Sequence, residues 1–182
     1  EGFKSKIRLI IVKFLYKVLL QKNKLVVIFQ NKDDMRVIKS IYPINKRKIS
    51  MINGSGVDLK LYKSCEIPKG KTKILFASRL LKTKGIEEFV ESSKYFPDIN
   101  FIIAGKIDKG NPACVSYQEL ENWKKLSNIE YVGFYDKIQE LIYESSMVIL
   151  PSYYGEGLPK ILIEAAACAR PVITTNHPGC RD

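Results

Sequence analysis

Between residues 73 and 174, short apolar runs rich in β-branched and aromatic residues alternate with stretches of helical length and pattern. The runs fall at 73–77, 100–104, 129–132, 148–150 and 172–174, and the helical stretches at 85–95, 116–126, 137–144 and 159–169. Strands joined through helices return parallel to one another, and strands apolar at successive positions are buried on both faces. Four such strand–helix units predict an α/β fold built on a doubly wound parallel sheet. Ligands bind such sheets at the carboxyl ends of the strands.

The chain ahead of this alternation reads differently. Residues 4–21 form a helical pattern with a broad apolar face and a narrow basic stripe at Lys6, Lys13 and Lys17, extended by Lys24. A helix of this kind either half-buries in a core or lies on an anionic membrane. The core reading is preferred, because a helix leading into a buried strand packs on that strand's sheet. Residues 25–29 read as a buried strand, 33–41 as a short helix stopping before Pro43, and 49–52 as a second strand. Asn53-Gly54-Ser55-Gly56-Val57-Asp58 is a turn-rich hinge, since Asn-Gly and Ser-Gly mark turns. The chain thus divides into 1–52, a linker and lead-in over 53–72, and a main domain over 73–182.

Charge follows the same division. Of the net charge of +11, nearly all sits in residues 1–50, which hold 13 Lys and Arg against 3 Asp and Glu; the other 132 residues hold 17 against 16. An anionic partner would be met in the first segment, although a solvated lysine-rich face is an equal reading. Cys65, Cys114, Cys168 and Cys180 show neither a C-x-x-C pair nor zinc-finger spacing, which favours free thiols in a reducing cytosol. The apolar run 12–20 is interrupted by Lys13 and Lys17 and falls short of the ~20 residues of a membrane span.

Three groups at strand carboxyl ends share one rim. After 73–77 come Ser78-Arg79 and, at the next helix start, Lys84-Gly85; Arg offers a fork for two phosphate oxygens and Lys a point charge. After 100–104 comes Gly105. After 148–150 comes Pro151-Ser152-Tyr153-Tyr154-Gly155-Glu156-Gly157-Leu158-Pro159, with Pro159 placed at the first helical position, where its missing N–H is not needed. Glycines admit a ligand close to the backbone, and helix starts attract phosphate. Glu156 in the loop and Glu164 in the helix are separated by seven residues. Two carboxylates beside an anion site suit a ligand carrying both phosphates and sugar hydroxyls, as a nucleotide sugar does. Solitary His177 lies in a Pro-bounded loop with no nucleophile motif beside it, and no cluster has metal-ligand spacing.

These residues resemble the donor-binding domain of the GT-B retaining glycosyltransferases of family 4, especially bacterial enzymes of capsule, O-antigen and lipid-linked glycan synthesis. Gly155-Glu156-Gly157-Leu158-Pro159 through Glu164-Ala165-Ala166 carries most of the resemblance, with Ser78-Arg79 to Lys84-Gly85, Ala104-Gly105, Pro171 to Thr175 and Pro178 to Asp182 in support. It implies a Rossmann-like half of a GT-B fold. Arg79 and Lys84 would hold the donor diphosphate and neutralise charge growing on it, and Glu156 would meet the donor sugar; these three are the candidate catalytic residues. Glu156, with backbone N–H groups near Gly157 and Leu158, would also meet the β-phosphate, Glu164 the ribose hydroxyls, and Tyr131-Val132-Gly133-Phe134 would lie near the base, with Gly105 and Gly155 also counted among the donor-binding residues. Glu156 also invites reading as a nucleophile, since paired carboxylates run many glycosidases. The binding role is preferred because the family is thought to use front-face attack assisted by the departing phosphate. No D-x-D triplet supports a metal-dependent mode, and no cofactor is implied beyond the donor, UDP-sugar preferred and GDP-sugar open.

The chain begins with Glu1 and ends at Asp182, which reads as a fragment truncated at both ends, with 1–52 the remnant of an acceptor domain and 53–72 the inter-domain linker. Such a fragment is expected to be inactive alone, its parent transferring a hexose or N-acetylhexosamine to a lipid-linked or oligosaccharide acceptor. The resemblance implies a cytoplasmic protein, with peripheral contact to the anionic inner face of the plasma membrane. A non-catalytic nucleotide-sugar-binding module remains the alternative. A nucleic-acid-binding protein lacks a recognition motif and is not favoured.

Overall fold

The computed structural model of the chain describes residues 2–182. Helix α1 (Phe3–Leu20) leads to strand β1 (Val27–Phe29), helix α2 (Lys32–Ile41), a 3-10 turn (Lys46–Lys48) and strand β2 (Ile49–Met51). β1 and β2 pair in parallel, so α2 is the crossover between them. Asn31 starts α2 as its N-cap, accepting from Asp34 N at 2.7 Å.

The main sheet follows. It runs through β3 (Lys73–Ala77), a 3-10 turn (Lys82–Lys84), α3 (Ile86–Ser93), β4 (Asn100–Ala104), α4 (Tyr117–Trp123), β5 (Ile129–Gly133), α5 (Ile138–Glu144), β6 (Met147–Leu150), α6 (Lys160–Ala167) and β7 (Val172–Thr174). Strand order is β5-β4-β3-β6-β7, every pair parallel, as the alternation predicts. The chain winds outward from β3 to β5, then returns to lay β6 on the other side of β3. That reversal puts a switch point between the carboxyl ends of β3 and β6, where open α/β sheets hold ligands. β3 and β4 are buried over four consecutive residues each, because helices cover both faces. Phe89 of α3 is wedged between Phe76 and Phe101, with ring centroids 5.4 and 5.2 Å away.

One buried cation ties the outer pieces down. Arg170, 3% exposed, donates to the carbonyls of Ile142 (3.1 Å), Tyr143 (3.0 Å), Cys168 (3.1 Å), Cys65 (2.8 Å) and Glu66 (2.9 Å), and to Cys65 Sγ (2.9 Å). The first three carbonyls lie at the carboxyl ends of α5 and α6, whose dipoles favour a cation. The others belong to the segment entering the domain. Arg170 reaches this place through a tight helix exit: Ala169 adopts φ 56, Ala169 N bonds Ala166 O at 3.0 Å and Arg170 N bonds Ala165 O at 2.9 Å. This is a Schellman ending, with alanine where glycine is usual. All four cysteines are free thiols.

Two expectations fail in the first segment and one in the main domain. α1 is not half-buried: Ile10, Phe14 and Leu15 are 67, 64 and 59% exposed. The small core of Leu20, Phe29 and Ile44 has room only for the helix's last turn. Residues 25–29 are not a fully buried strand either, since Val26 and Ile28 stand exposed on the face that α2 leaves uncovered. Pro159 is the N-cap of α6 rather than its first helical residue, because its ψ of 117° is extended. β7 takes an edge position, with Val172 and Ile173 exposed. No helix among the described residues is long and apolar enough to cross a membrane.

Neighbouring substitutions at the α6 exit are expected to act in opposite directions. Ala169→Gly removes the left-handed penalty and raises unfolding free energy by about 0.5–1 kcal/mol. Arg170→Met strands several buried carbonyls and lowers it by about 3–5 kcal/mol. Urea unfolding of both variants checks the pair.

Candidate functional site

A cavity of about 220 Å³ opens at the carboxyl ends of β3 and β4, with Ser78, Arg79, Gly105, Phe134, Tyr135 and Glu164 among its lining residues. Its floor is built by hydrogen bonding that continues past the strands. Ser78 N donates to Ala104 O and Leu80 N to Lys106 O, both at 3.1 Å, which fixes the backbone on either side of Arg79. Gly105 N donates to Gly133 O at 2.7 Å, and Tyr131 Oη to Gly105 O at 3.0 Å. Burial raises the pKa of that phenol and keeps it a donor. Gly105 has φ 147, and a Cβ there would overlap Ser78 O, so the crossing of these two loops requires glycine.

Arg79 and Glu164 are held in contrasting ways. The guanidinium of Arg79 is 58% exposed and pairs with Asp108 at 2.9 Å. Glu164, on the inward face of α6, is 4% exposed, with Lys160 Nζ 3.3 Å from Oε1. The phenol of Tyr62 is buried, and that burial first, with the negative charge of Glu164 adding to it, pushes its pKa up. Tyr135, on the cavity wall, donates to Glu140 at 3.1 Å, which raises its pKa.

A second cluster sits on the loop after β6. Lys84 and the fully buried Ser152 both bond Glu156 Oε1, the serine at 3.0 Å, and the lysine and glutamate side chains are 13 and 14% exposed. Both therefore approach a single oxygen, and Oε2 carries neither bond. Lys84 is delivered by the 3-10 turn ending at Gly85, which is left-handed (φ 78) and pressed against Pro151. Lys82 in the same turn is engaged by Glu87 (2.9 Å) and Glu119 (2.5 Å). From the other side, Asn31 Nδ2 donates to Glu156 O at 3.0 Å and Gly157 O at 3.3 Å, while Arg181 pairs with Asp33 at 2.6 Å.

Of the residues expected from sequence, Arg79, Gly105 and Glu164 line one cavity, and Gly133 accepts the floor's closing hydrogen bond. Lys84 and Glu156 form the neighbouring ion pair. Gly155 lies on the exposed part of the loop, Gly157 faces Gln30, and Leu158 packs beneath Gly54. Tyr62, Asp108 and Asn31 went unnoticed in the sequence, and Ser152 stood there only as part of the loop run, with no role given to it. Only Asn31 left a local signal there, a capping residue before Lys32-Asp33-Asp34. Among the described residues, no three His, Cys, Asp or Glu side chains gather as a metal site.

A family model described as glycosyl transferases group 1 matches residues 60–182. Similar curated proteins include the N,N'-diacetylbacillosaminyl-diphospho-undecaprenol alpha-1,3-N-acetylgalactosaminyltransferase of Campylobacter jejuni, 29% identical over 195 residues, covering 99% of this chain and 50% of that protein. Another is the UDP-Gal:alpha-D-GlcNAc-diphosphoundecaprenol alpha-1,3-galactosyltransferase of Escherichia coli, 32% identical over 167 residues, covering 82% of this chain and 42% of that protein. Among solved structures, Anabaena HepE in complex with UDP and glucose superposes with a TM-score of 0.77 at 19% identity, over 92% of this chain and 48% of HepE. The chain spans about half the length of the curated relatives it matches.

The two glycines of the cavity floor are expected to differ sharply. Gly105→Ala forces a backbone overlap and lowers stability by more than about 3 kcal/mol. Gly133→Ala meets open space at φ 73 and costs about 1 kcal/mol. Thermal and urea unfolding of the two variants compares them directly.

Proposed function

Because the chain belongs to the glycosyl transferases group 1 family, we propose that it is the donor-binding half of a sugar transferase. The parent enzyme moves a hexose or N-acetylhexosamine from a nucleoside diphosphate to a lipid-linked or polysaccharide acceptor, with retention of configuration. The observation that carries this reading is the cavity at the switch of the sheet, where an exposed arginine and a buried carboxylate line the same space. The names of the C. jejuni and E. coli relatives, both with diphospho-undecaprenol-linked acceptors, support the acceptor class. The E. coli name, with its UDP-Gal donor, supports UDP over GDP.

In this reading Arg79 exchanges Asp108 for the diphosphate. An exposed ion pair holds its partners by only ~0–1 kcal/mol, so phosphate competes successfully. Glu164 accepts from the ribose hydroxyls, with Gly105, Gly133 and Phe134 beside the base. Glu156 presents Oε2 to a donor-sugar hydroxyl while Oε1 stays with Lys84 and Ser152. A carboxylate so occupied is a better binder than nucleophile, because the ammonium and hydroxyl on Oε1 stabilise its negative charge and so weaken Oε2 as an attacking group. Lys84 adds positive potential where charge grows on the leaving phosphate. Backbone of Gly155, Gly157 and Leu158 approaches the β-phosphate. No cofactor is invoked beyond the nucleotide sugar itself. The basic, apolar surface of α1 suits contact with an anionic membrane at the cytoplasmic face, where a lipid-linked acceptor would be met.

Titration of the folded protein with UDP, GDP and their sugars tests the reading. Binding in the micromolar-to-millimolar range is expected, with Arg79→Ala and Glu164→Ala each weakening it about tenfold. A folded protein that binds none of these nucleotides overturns it.

A further inference from the structure

The loop that carries Glu156 is gripped on its carbonyl side by a residue far away in the sequence. Asn31, 2% exposed, brings its amide nitrogen to Glu156 O at 3.0 Å and Gly157 O at 3.3 Å, with Asp34 Oδ2 at 2.9 Å as a third acceptor. Gly179, left-handed at φ 81, rests on the same two carbonyls, and a Cβ there would overlap them. Both peptide units are trans, so each N–H points opposite to its carbonyl. Fixing Glu156 O and Gly157 O on Asn31 therefore turns the N–H groups of Gly157 and Leu158 together to the other side of the loop. Among the described residues, neither N–H donates to an acceptor of the protein, and both stand just ahead of α6. Two adjacent free N–H groups at a helix start form a cradle for an anionic oxygen.

We propose that Asn31 is a positioning residue for the diphosphate: by holding two carbonyls, it aims the N–H groups behind them at the β-phosphate of the donor. The inference rests on the proposed phosphate contact of this loop and extends it to a residue of the first segment that does not line the cavity. The two ends of the Asn31 amide do separate things, since Oδ1 caps α2 through Asp34 N at 2.7 Å while Nδ2 reaches the loop. Gly157 has no side chain with which to set its own peptides, and glycine loses more backbone freedom on ordering than any other residue. A buried donor orders that backbone before phosphate arrives, so that binding does not have to.

The discriminating probe is UDP against UMP, with GDP and GMP run in parallel, on the full chain. The wild type is expected to prefer the diphosphate by about tenfold. Asn31→Ser keeps an oxygen that caps α2 and removes the amide donor. It lowers diphosphate affinity roughly three- to fivefold and leaves the monophosphate affinity unchanged. Asp33→Ala breaks the ion pair to Arg181 that ties the turn of Gly179 to α2. It moves the preference the same way by a smaller factor, and it carries the test should Asn31→Ser fail to fold. A folded Asn31→Ser protein that loses affinity for both nucleotides equally, or for neither, overturns the positioning role while the donor reading stands. If the wild type binds mono- and diphosphate equally well, or binds neither, the phosphate contact of the loop falls and the inference falls with it.

Discussion

A guanidinium with almost no access to water, bonded to no carboxylate among the described residues, holds the outer layers of this domain together. Burying a charge is costly unless polar groups replace its hydration. Arg170 meets that requirement with carbonyl oxygens from two helix ends and from the incoming chain, and with a sulfur. Five donors in a fixed planar fork make this geometry possible, and lysine has no equivalent. The consequence spreads outward. The ends of α5 and α6 are registered against each other, and residues 65–66 are bound beside them. The preceding turn is then close enough to be caught by Tyr143. The seating of Tyr62 thus follows from a cation that lines no ligand cavity.

The two glutamates of the site show how similar residues acquire different capacities. Glu156 is paired with a lysine and a serine on one oxygen, so its charge is balanced within the protein. Glu164 has a more distant lysine as its partner, and lines a cavity. Arg79 is a third case, an exposed cation in a weak pair with Asp108, which little prevents from turning to a new anion. A largely covered pair such as Lys84 with Glu156, whose side chains keep only 13 and 14% exposure, is harder to break, because separating it leaves a charge with little solvent around it. Exchange is thus easy at Arg79 and resisted at Lys84, which divides the rim into an adaptable side and a fixed one.

Much of this architecture was legible in the amino-acid order. Runs such as Ile74-Leu75-Phe76-Ala77 and Phe101-Ile102-Ile103-Ala104 have too many successive apolar residues for anything but a strand covered on both faces. Their alternation with helices then sets the parallel sheet. Arg79, Gly105, Glu156 and Glu164 were readable because each sits at a fixed offset from a strand end or helix start. Their partners were not. Asp108 and Ser152 are ordinary loop residues until the fold brings them to Arg79 and Glu156. The exposure of α1 was illegible for a related reason. Apolar residues distributed around most of a helix announce burial without naming what does the burying, and the core formed by β1, β2 and α2 accepts only its last turn.

Asn31 has a double employment whose effect is mechanical. With its oxygen it caps α2, and with its amide nitrogen it grips the backbone of the loop carrying Glu156, across a sequence distance of more than a hundred residues. A displacement of the start of α2 would either drag that loop along or strip a buried amide of two acceptors. The backbone that carries Glu156 is therefore tied to the first helix turn of α2.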